Sequence, residues 1–301
     1  MSPYISSLSD DHKKEESVKL QVLICTYGHE GIQRVAKALH PRVEGVEYLV
    51  SIQENAYDKD FPMPKELDRE DFKLFVTLTK GLSINRNIAL SQATAPLLLI
   101  SDDDADYTAE GLKAVIEAFD NNPQADIIAF QYASSSTHKF YPKESVSLQR
   151  PPKGYFISSI EIAMRRKSIQ GKIWFNENFG IGAIFPSGEE DIFLCDCFAH
   201  GLNGIYIPKI IVRHDGTTTT DRNLMLPSRP QTKGAVFLRL HPHDWTLRML
   251  MHTLREFPLW MKGMVPSPFS YLCNWMKGVR MAKKLKVFPT PDLSIYYPCH
   301  E

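Results

Sequence analysis

The sequence has no apolar run as long as a membrane-crossing helix needs, about 20 residues. Its opening residues, MSPYISSLSDDHKKEES, lack the apolar core of a signal peptide, so we expect none there. Neither sign of charge dominates, since Lys plus Arg and Asp plus Glu each total 35, and net charge indicates no nucleic-acid partner. The five cysteines lack the paired spacing of zinc sites or disulfide frameworks, which predicts reduced, mostly buried thiols. We expect a cytoplasmic protein, either soluble or attached to a membrane surface.

The chain does contain enough apolar sequence for a sizeable core, because 43% of its 301 residues are hydrophobic. From residue 19 onward, β-rich runs such as VLICTY and APLLLIS alternate with helical patterns such as IQRVAKALH. This alternation predicts an α/β fold with a mostly parallel central sheet and helices on both faces. We divide the chain into a polar tail (1–18), a main α/β domain (19–240) and a C-terminal basic and aromatic helical extension (241–301).

Local signals predict several helix boundaries. Ser83 and Thr108 are placed to cap two helices, and Gly201 is placed to end a third. The segment ISSIEIAMRRKSI (157–169) reads as a helix and KIWFNENF (172–179) as a short strand. The polar stretch that starts near residue 133 predicts a wall or lid over a cleft.

An unusual run of acids follows the apolar strand LLLIS. Asp102, Asp103 and Asp104 come at the carboxyl end of this strand, where α/β sheets bind ligands. Alternation along an extended backbone points Asp102 and Asp104 to one side, and Asp103 toward a neighbouring loop or a sugar hydroxyl. Such carboxylates suit Mg²⁺ or Mn²⁺, which keeps coordination positions for substrate phosphates. The alternative is an acidic turn that either caps the next helix or lies in solvent. We expect Asp106 to be a helix-entry residue with no part in the chemistry.

A second segment, KGLSINRNIAL, places cations at the start of a helix. Lys80, Arg86 and Asn87 there could form an anion site, because helix N-termini attract negative groups. Alternatively, Arg86 pairs with a surface acid and Asn87 caps a turn.

Acids and a histidine occur again late in the chain. FGIGAIFPSGEEDIFL delivers Glu189, Glu190 and Asp191 to a helix start, where one carboxylate could act as a general base. Acids in a first helical turn also complement the helix dipole. Residue type alone therefore does not distinguish a catalytic base from an acid that only stabilises the helix. His214, at the end of the strand in VRHDG, could complete a metal site or have a purely structural role.

In this order, the motifs resemble those of the family 2 glycosyltransferases of the GT-A fold, over roughly residues 19–216. The resemblance implies an inverting enzyme that moves a sugar from a nucleotide-diphosphate sugar to an acceptor hydroxyl. It implies that Asp102 and Asp104 match the family's Asp-x-Asp, with Asp104 the main ligand of Mn²⁺ or Mg²⁺ and His214 completing the metal shell. Asp191 is then the expected base.

The resemblance also implies a donor site. Gly81–Asn87 matches a Gly-Leu-Ser-x-x-Arg-Asn segment, so Arg86 and Asn87 are expected to shape the pocket, beside Lys80 and Asp103. Thr26 and Tyr27 stand where the first strand meets the nucleotide base.

Two departures from the family pattern bear on these assignments. SIQENAYD replaces the usual Asp-Asp-Gly-Ser, so Glu54 or Asn55 would stand in as the nucleotide-reading residue. The segment GEED has one acid more than the family's Gly-Glu-Asp, so Glu190 is a second candidate base.

The C-terminal segment suggests where the acceptor lies. Residues 245–287 are rich in Trp, Met, Lys and Arg, a pattern that fits either docking on an anionic membrane or packing on the core. Many enzymes of this type extend a glycan on a polyprenyl diphosphate carrier, which predicts a lipid-linked acceptor in cell-surface polysaccharide synthesis. One competing function is a sugar-phosphate nucleotidyltransferase, but CTYGHEGIQR in this chain is a poor match to the N-terminal glycine-rich loop of such enzymes. The other is a non-catalytic module that binds Ca²⁺.

Overall fold

The computed structural model describes residues 18–54, 63–135, 139–215, 226–265 and 267–285. The strands are β1 (Leu20–Tyr27), β2 (Val46–Gln53), β3 (Phe72–Thr77), β4 (Leu97–Ser101), β5 (Asp106–Tyr107), β6 (Ile127–Ala133), β7 (Val146–Ser147), β8 (Ile162–Arg165) and β9 (Gly204–Arg213). The helices are α1 (Gly28–Lys37), α2 (Leu82–Gln92), α3 (Ala109–Asn121), α4 (Arg166–Ile169), α5 (Glu189–Ala199), α6 (Ser228–Leu240), α7 (Trp245–Met261) and α8 (Pro268–Leu285). Two short 3₁₀ turns span Lys65–Leu67 and Ser159–Glu161.

The nine strands form one mixed sheet in the order β3-β2-β1-β4-β8-β6-β9-β5, with β7 paired to β9. Strands β1, β2, β3, β4, β6 and β9 run in one direction, and β5, β7 and β8 run against them. Apolar side chains of α1 and α3 pack on one face of the sheet, and those of α2 and α5 pack on the other. The predicted α/β architecture is confirmed.

The predicted helix over 157–169 is wrong. The segment forms the 3₁₀ turn Ser159–Glu161, then β8, and only then the short helix α4. Strand β8 lies between β4 and β6, and its first three residues, Ile162, Ala163 and Met164, form a buried apolar run. Such a run has no period that separates a strand from a buried helix.

The predicted strand over 172–179 is also wrong, because the described residues show no strand there apart from an isolated bridge between Phe179 and Phe185. Both backbone polar groups of Phe175 bond instead to the side chain of Asn87. The Phe175 N–H donates to Oδ1 at 2.8 Å, and its carbonyl accepts from Nδ2 at 2.9 Å. A buried amide side chain thus satisfies backbone groups that a neighbouring strand would otherwise bind.

Two of the three predicted helix boundaries are confirmed. The Thr108 hydroxyl accepts from the Gly111 N–H at 3.0 Å and caps α3, and α5 ends just before Gly201, whose φ is +78°. Ser83 does not cap α2, because its hydroxyl donates to the Phe179 carbonyl at 2.6 Å. This bond holds the start of α2 against the loop that leads to α5.

The polar stretch after β6 is anchored rather than free. Lys139 and Glu161 form a fully buried ion pair, and Tyr141 donates a second hydrogen bond to the same carboxylate. The Lys139 ammonium also lies 4.4 Å from the centre of the Phe156 ring. The predicted wall therefore has a rigid base beside β6.

The C-terminal helices form a third apolar cluster. Residues of α6 and α8, including Val236 and Trp275, pack around Ile192 of α5. The proposed boundary at residue 240 thus falls between helices that belong to one packed unit. None of the helices in the described ranges is long and apolar enough to cross a membrane. The four described cysteines are unpaired, and Cys25 and Cys197 are buried; Cys299 lies outside the described residues.

Candidate active site

The predicted site residues collect at the carboxyl edge of the sheet. Strands β1 and β4 are parallel neighbours, so Thr26 and the aspartate run that follows Ser101 end side by side. His214 follows β9 and is brought to the same edge by the pairing of β9 with β6 and β5. Parallel strands place their carboxyl ends together, which explains why segments far apart in sequence meet here.

The loop before α5 brings the GEED segment to this edge. The Leu82 N–H donates to the Ile181 carbonyl at 2.8 Å, beside the bond from Ser83 to Phe179. These contacts fasten residues 179–181 to the start of α2. The three motifs GLSINRN, SDDDADY and GEED therefore meet in space.

Arg86 lies at the point where they meet, and its side chain is only 1% exposed. Its guanidinium lies 3.3 Å from Asp102 Oδ1, 3.1 Å from Glu189 Oε1 and 3.5 Å from Glu190 Oε1, and stacks on Phe175. Burial by itself lowers the pKa of Arg86, but the surrounding carboxylates raise it above its ordinary value. Arg86 is therefore a permanent buried cation that compensates the crowded acids.

Glu189 is the most deeply buried of these acids, and the sequence did not distinguish it from Glu190 and Asp191 beside it. Burial, together with the neighbouring Glu190, raises the pKa of Glu189 to about 8. Within the described part of the chain its Oε2 has no hydrogen-bond partner. Glu189 is thus largely protonated at neutral pH. The available sequence signal was its place at the first position of the helix, directly after Gly188.

Asp103 is held by the protein itself. Thr26 Oγ1 donates to Asp103 Oδ2 at 2.6 Å, and Arg34 donates to both carboxylate oxygens at 2.9 and 2.8 Å. A bidentate pair of this kind fixes the direction of the carboxylate. Asp103 therefore ties α1 to the end of β4, and Arg34 is a residue that sequence reasoning missed.

Asp104 and His214 form a more open pair. Their Oδ1 and Nε2 atoms lie 3.0 Å apart, and the two side chains are 44% and 18% exposed. The hydrogen bond raises the pKa of His214 and lowers that of Asp104. A carboxylate and an imidazole at one edge are suitable ligands for Mn²⁺ or Mg²⁺, whose other positions phosphates and water can fill.

Asp102 is directed toward Arg86 rather than toward this pair. Within the described ranges, no three His, Cys, Asp or Glu side chains are grouped closely enough to hold a metal ion by themselves. The donor set thus fits an ion bound by Asp104 and His214 and completed by a ligand's phosphates. Asp106 lies in β5, and its carboxylate accepts from the Leu39 N–H at 2.8 Å.

Asp191 lies on a different side of α5 from Glu190 and reaches solvent. In the described chain it forms no hydrogen bond or ion pair. The surrounding protein nevertheless raises the pKa of Asp191 to about 6, Glu190 adds to this effect, and Lys233 opposes it. The site thus contains one accessible carboxylate whose pKa suits a general base.

The remaining candidates surround the edge. Tyr27 and Lys80 are exposed, and neither side chain has a polar partner among the described residues. Glu54 follows β2 and is bound through its backbone to Thr77, whereas Asn55 lies outside the described residues. Asn87 is fully buried on Phe175. The roles predicted for these residues stay predictions.

Asn85 is a further buried residue that sequence reasoning missed. Its Nδ2 donates to the carbonyls of Thr26 and Ser51, both at 3.0 Å, and its Oδ1 accepts from the Ser51 hydroxyl. One side chain therefore fixes the carboxyl ends of β1 and β2 relative to α2. The signal for it was a polar residue on the buried face of a helix.

Solved structures of S. aureus TarS are similar to this chain along most of its length. The crystal structure of TarS residues 1–349 matches with a TM-score of 0.53 at 16% sequence identity, over 89% of this chain and 91% of that one. The structures of the same TarS residues in complex with UDP and with UDP-GlcNAc match over the same shares, with TM-scores of 0.53 and 0.52 and identities of 15% and 16%. No curated protein matches the chain in sequence. The similarity to TarS shows that the chain has the GT-A glycosyltransferase fold.

Residues 64–185 match the model of glycosyl transferase family 2. The matched segment contains the GLSINRN motif, the aspartate run and the loop that precedes GEED. This match over part of the chain agrees with the family resemblance that the order of the motifs carries.

Proposed function

We propose that the chain transfers a hexose-type sugar, with inversion, from a nucleotide-diphosphate sugar to an acceptor hydroxyl. The observation that carries the proposal is the convergence of three motifs around Arg86. The convergence supports the proposal because the GEED segment, with the base candidates Asp191 and Glu190, meets the sheet edge that carries the Asp104–His214 pair. We further propose that the product is a cell-surface polysaccharide.

The proposed donor site divides its charges between buried and exposed groups. Arg86 is buried and already bound by carboxylates, so it acts on the donor through Asp102 rather than by contact with the diphosphate. The exposed Lys80 is free to approach the phosphates directly. Tyr27 is exposed at the end of β1, where a base could stack on its ring.

A divalent ion would be held by Asp104 and His214. It would supply positive charge to the diphosphate that leaves. Asp102, held by Arg86, stands beside this position and adds a negative charge that favours a cation there.

The chemical step requires a base on the side of the sugar opposite the leaving diphosphate. Asp191 accepts the proton of the acceptor hydroxyl while the oxygen forms a bond to the anomeric carbon, and the bond to the diphosphate breaks. A single displacement of this kind inverts the anomeric configuration. Glu190, at 3.5 Å from Arg86, is the second candidate for this role.

The proposal is tested by a thermal-shift panel of UDP, GDP, CMP and dTDP, each with and without Mn²⁺, followed by turnover of UDP-GlcNAc. UDP-GlcNAc is the first donor to test because TarS has been crystallised in complex with it. A transferase is stabilised by one nucleoside diphosphate together with the metal. Stabilisation by Ca²⁺ alone would favour the non-catalytic module, and stabilisation by a nucleoside triphosphate would favour the nucleotidyltransferase.

We also propose that α7 rests on an anionic membrane at the cytoplasmic face, where a lipid-linked acceptor would lie. One face of α7 presents six apolar side chains, each more than half exposed: Leu247, Leu250, Met251, Leu254, Phe257 and Met261. Positions 247, 250, 254, 257 and 261 are three or four residues apart and Met251 lies next to Leu250, so the six side chains form one stripe. Arg255 and Lys262 are exposed nearby, and this basic charge selects an anionic lipid surface as the partner.

A further inference from the structure

The start of helix α5 packs closely against helix α6. Gly188 occupies the N-cap position of α5 with a φ of +94°, and a Cβ atom built on it would lie 2.5 Å from Val236 Cγ2 of α6. Two carbon atoms that close would overlap, so a residue with a side chain fits there only if its surroundings move. Val236 is buried, and its contact with Gly188 sets how near α6 comes to the acidic turn that begins α5.

Helix α6 is itself fixed by helix α8. A Cβ atom on Gly234 of α6 would overlap the carbonyl oxygen of Trp275, and one on Gly278 of α8 would overlap the carbonyl oxygen of Gln231. The Gln231 amide also donates to Asn274 Oδ1 at 2.9 Å. Two glycines thus let the backbones of α6 and α8 touch at two points. Val236 therefore stands on a firm support.

The apolar cluster of the C-terminal helices also holds the GEED segment at both ends. Phe185 precedes the segment and Ile192 follows it, and both are buried among residues of α6 and α8 that include Val236 and Trp275. The residues from 186 to 191 thus form a short bridge with both ends anchored in this cluster. The placement of the three acids therefore depends on the C-terminal helices.

The acidic turn has a second contact, with Arg86 of α2. A single nitrogen of that side chain, Nη1, lies 3.1 Å from Glu189 Oε1 and 3.5 Å from Glu190 Oε1. Hydrogen bonds and ion pairs of this length tolerate only small displacements. A shift of the start of α5 would change both contacts, and it would move Asp191 as well, because Asp191 belongs to the same turn.

We propose that Val236 is a positioning residue for the acidic turn. Supported by α8, it holds Gly188 in place, and so keeps the turn in contact with Arg86 and the candidate base Asp191 in its working position. The inference rests on the proposed function, since it treats Asp191 as the base. It gives the C-terminal helices a role in sugar transfer that is separate from membrane docking.

The first test is the turnover of UDP-GlcNAc by the full chain. Gly188→Ala should lower kcat by about 10²-fold, because a displaced base no longer meets the acceptor hydroxyl, while KM for the donor stays near the wild-type value. Adding Val236→Ala removes the overlapping methyl groups and leaves Val236 Cβ 3.7 Å away, an ordinary contact. The double variant should regain at least about tenfold in kcat.

A second measurement needs no turnover. NMR of the full chain, labelled with ¹³C at glutamate carboxyl groups, follows Glu189, whose resonance is identified by its absence in Glu189→Gln. In Gly188→Ala the Glu189 midpoint should fall by about 1 pH unit from its wild-type value near pH 8, because the displaced turn loses part of the burial that raises the pKa. The double variant with Val236→Ala should restore it. An inactive wild-type protein would contradict the proposed function and leave this titration readable.

Two controls separate positioning from general loss of stability. Gly201→Ala imposes the same kind of backbone strain just after α5, where φ is +78° and a Cβ atom would meet open space. Leu238→Ala opens the same apolar cluster from another position on α6. Both variants should keep the wild-type kcat and Glu189 midpoint.

If Gly188→Ala folds poorly, Val236→Ala alone removes the same contact from the other helix. It should lower the Glu189 midpoint in the same direction by a smaller amount. An unchanged midpoint in both Gly188→Ala and Val236→Ala would overturn the inference, and so would a Gly188→Ala variant with the wild-type kcat.

Discussion

Arg86 and Asp102 form an ion pair of 3.3 Å that joins helix α2 to the end of strand β4. The guanidinium is almost fully enclosed, and the acidic side chains of Glu189 and Glu190 of α5 lie within 3.5 Å of it. A buried cation with three acidic neighbours is costly to remove, because its loss leaves uncompensated charge inside the protein. This relationship leads to the first prediction.

Arg86→Gln should lower the free energy of unfolding by about 3–5 kcal/mol, since it breaks a buried charge network. Urea unfolding followed by circular dichroism measures the loss. Arg34→Gln is the matched control: it also removes a cation from the aspartate run, but its side chain is about half exposed. Arg34→Gln should lower the free energy of unfolding by about 1 kcal/mol. Equal losses in the two variants would contradict the central role of Arg86 in stability.

Glu189→Gln should change the pH dependence of stability. The unfolded chain releases the Glu189 proton near pH 4.5, whereas the folded protein keeps it up to about pH 8. The raised pKa therefore makes the wild type lose stability as pH rises from about 4.5 to 8. The glutamine variant lacks this loss, so it should gain stability relative to the wild type across that window.

Urea midpoints between pH 4 and pH 9 measure the effect of Glu189→Gln. Glu110→Gln is the control, because Glu110 also lies in the first turn of a helix, α3, and is exposed. Because this side chain is exposed, Glu110→Gln should change the urea midpoint less than Glu189→Gln does over the same pH range. A constant difference for Glu189→Gln would show that Glu189 is ionised at neutral pH.

Asp191→Asn should lower the turnover of UDP-GlcNAc by about 10²–10⁴-fold, the usual contribution of a general base. The raised pKa of about 6 predicts that wild-type activity falls as pH drops through 6, because the protonated carboxyl group cannot accept a proton. Release of UDP across pH 5–9 measures both effects. Asp196→Asn, on the same helix but paired with Arg239, should keep near-normal turnover.

Glu190→Gln distinguishes the two candidate bases. We expect Glu190→Gln to lower turnover less than Asp191→Asn does. Its activity should still fall as the pH drops through about 6, as in the wild type. A nearly inactive Glu190→Gln beside an active Asp191→Asn would transfer the role of base to Glu190.

Asp104→Asn and His214→Gln should each abolish the stabilisation that Mn²⁺ adds to nucleoside diphosphate binding, because each removes a proposed ligand of the ion. The difference in melting temperature with and without Mn²⁺ is the measurement. Asp106→Asn is the control, since that carboxylate binds the Leu39 N–H instead. If both ligand variants kept the full response to Mn²⁺, the ion would not bind at this pair.

Leu250→Gln combined with Leu254→Gln should prevent flotation with vesicles of phosphatidylglycerol and phosphatidylcholine at low salt. The pair removes two adjacent members of the exposed stripe on α7. Wild-type protein should float with these vesicles and not with phosphatidylcholine alone. Leu78→Gln, an equally exposed leucine after β3, should float like the wild type. Wild-type protein that stays at the bottom of the gradient with anionic vesicles would rule the docking surface out.

Local patterns in the sequence determined much of the fold. Strong local signals include the buried apolar runs of β1, β2 and β4 and the amphipathic period of α3. The start of α3 is signalled by Thr108, whose hydroxyl caps the helix. The order of the motifs was enough to indicate the family and to locate the residues of the candidate site.

Partners distant in sequence decided the rest. Residues 162–165 form strand β8 instead of part of a helix, because β4 and β6 provide neighbours on both sides. Residues 172–179 form no strand, because the side chain of Asn87 binds the backbone N–H and carbonyl of Phe175. The three aspartates look alike in sequence but differ in the structure. Asp102 faces Arg86, Asp103 is bound by Arg34 and Thr26, and Asp104 meets His214.

The sequence by itself determined which residues carry charge and at which strand ends they lie. Only the tertiary structure decided which charges are buried, which are paired and which stay accessible to a ligand. The physical reason is that burial and pairing act over a few ångströms in space, and residues such as Arg86 and Glu189 reach that range only after the chain has folded.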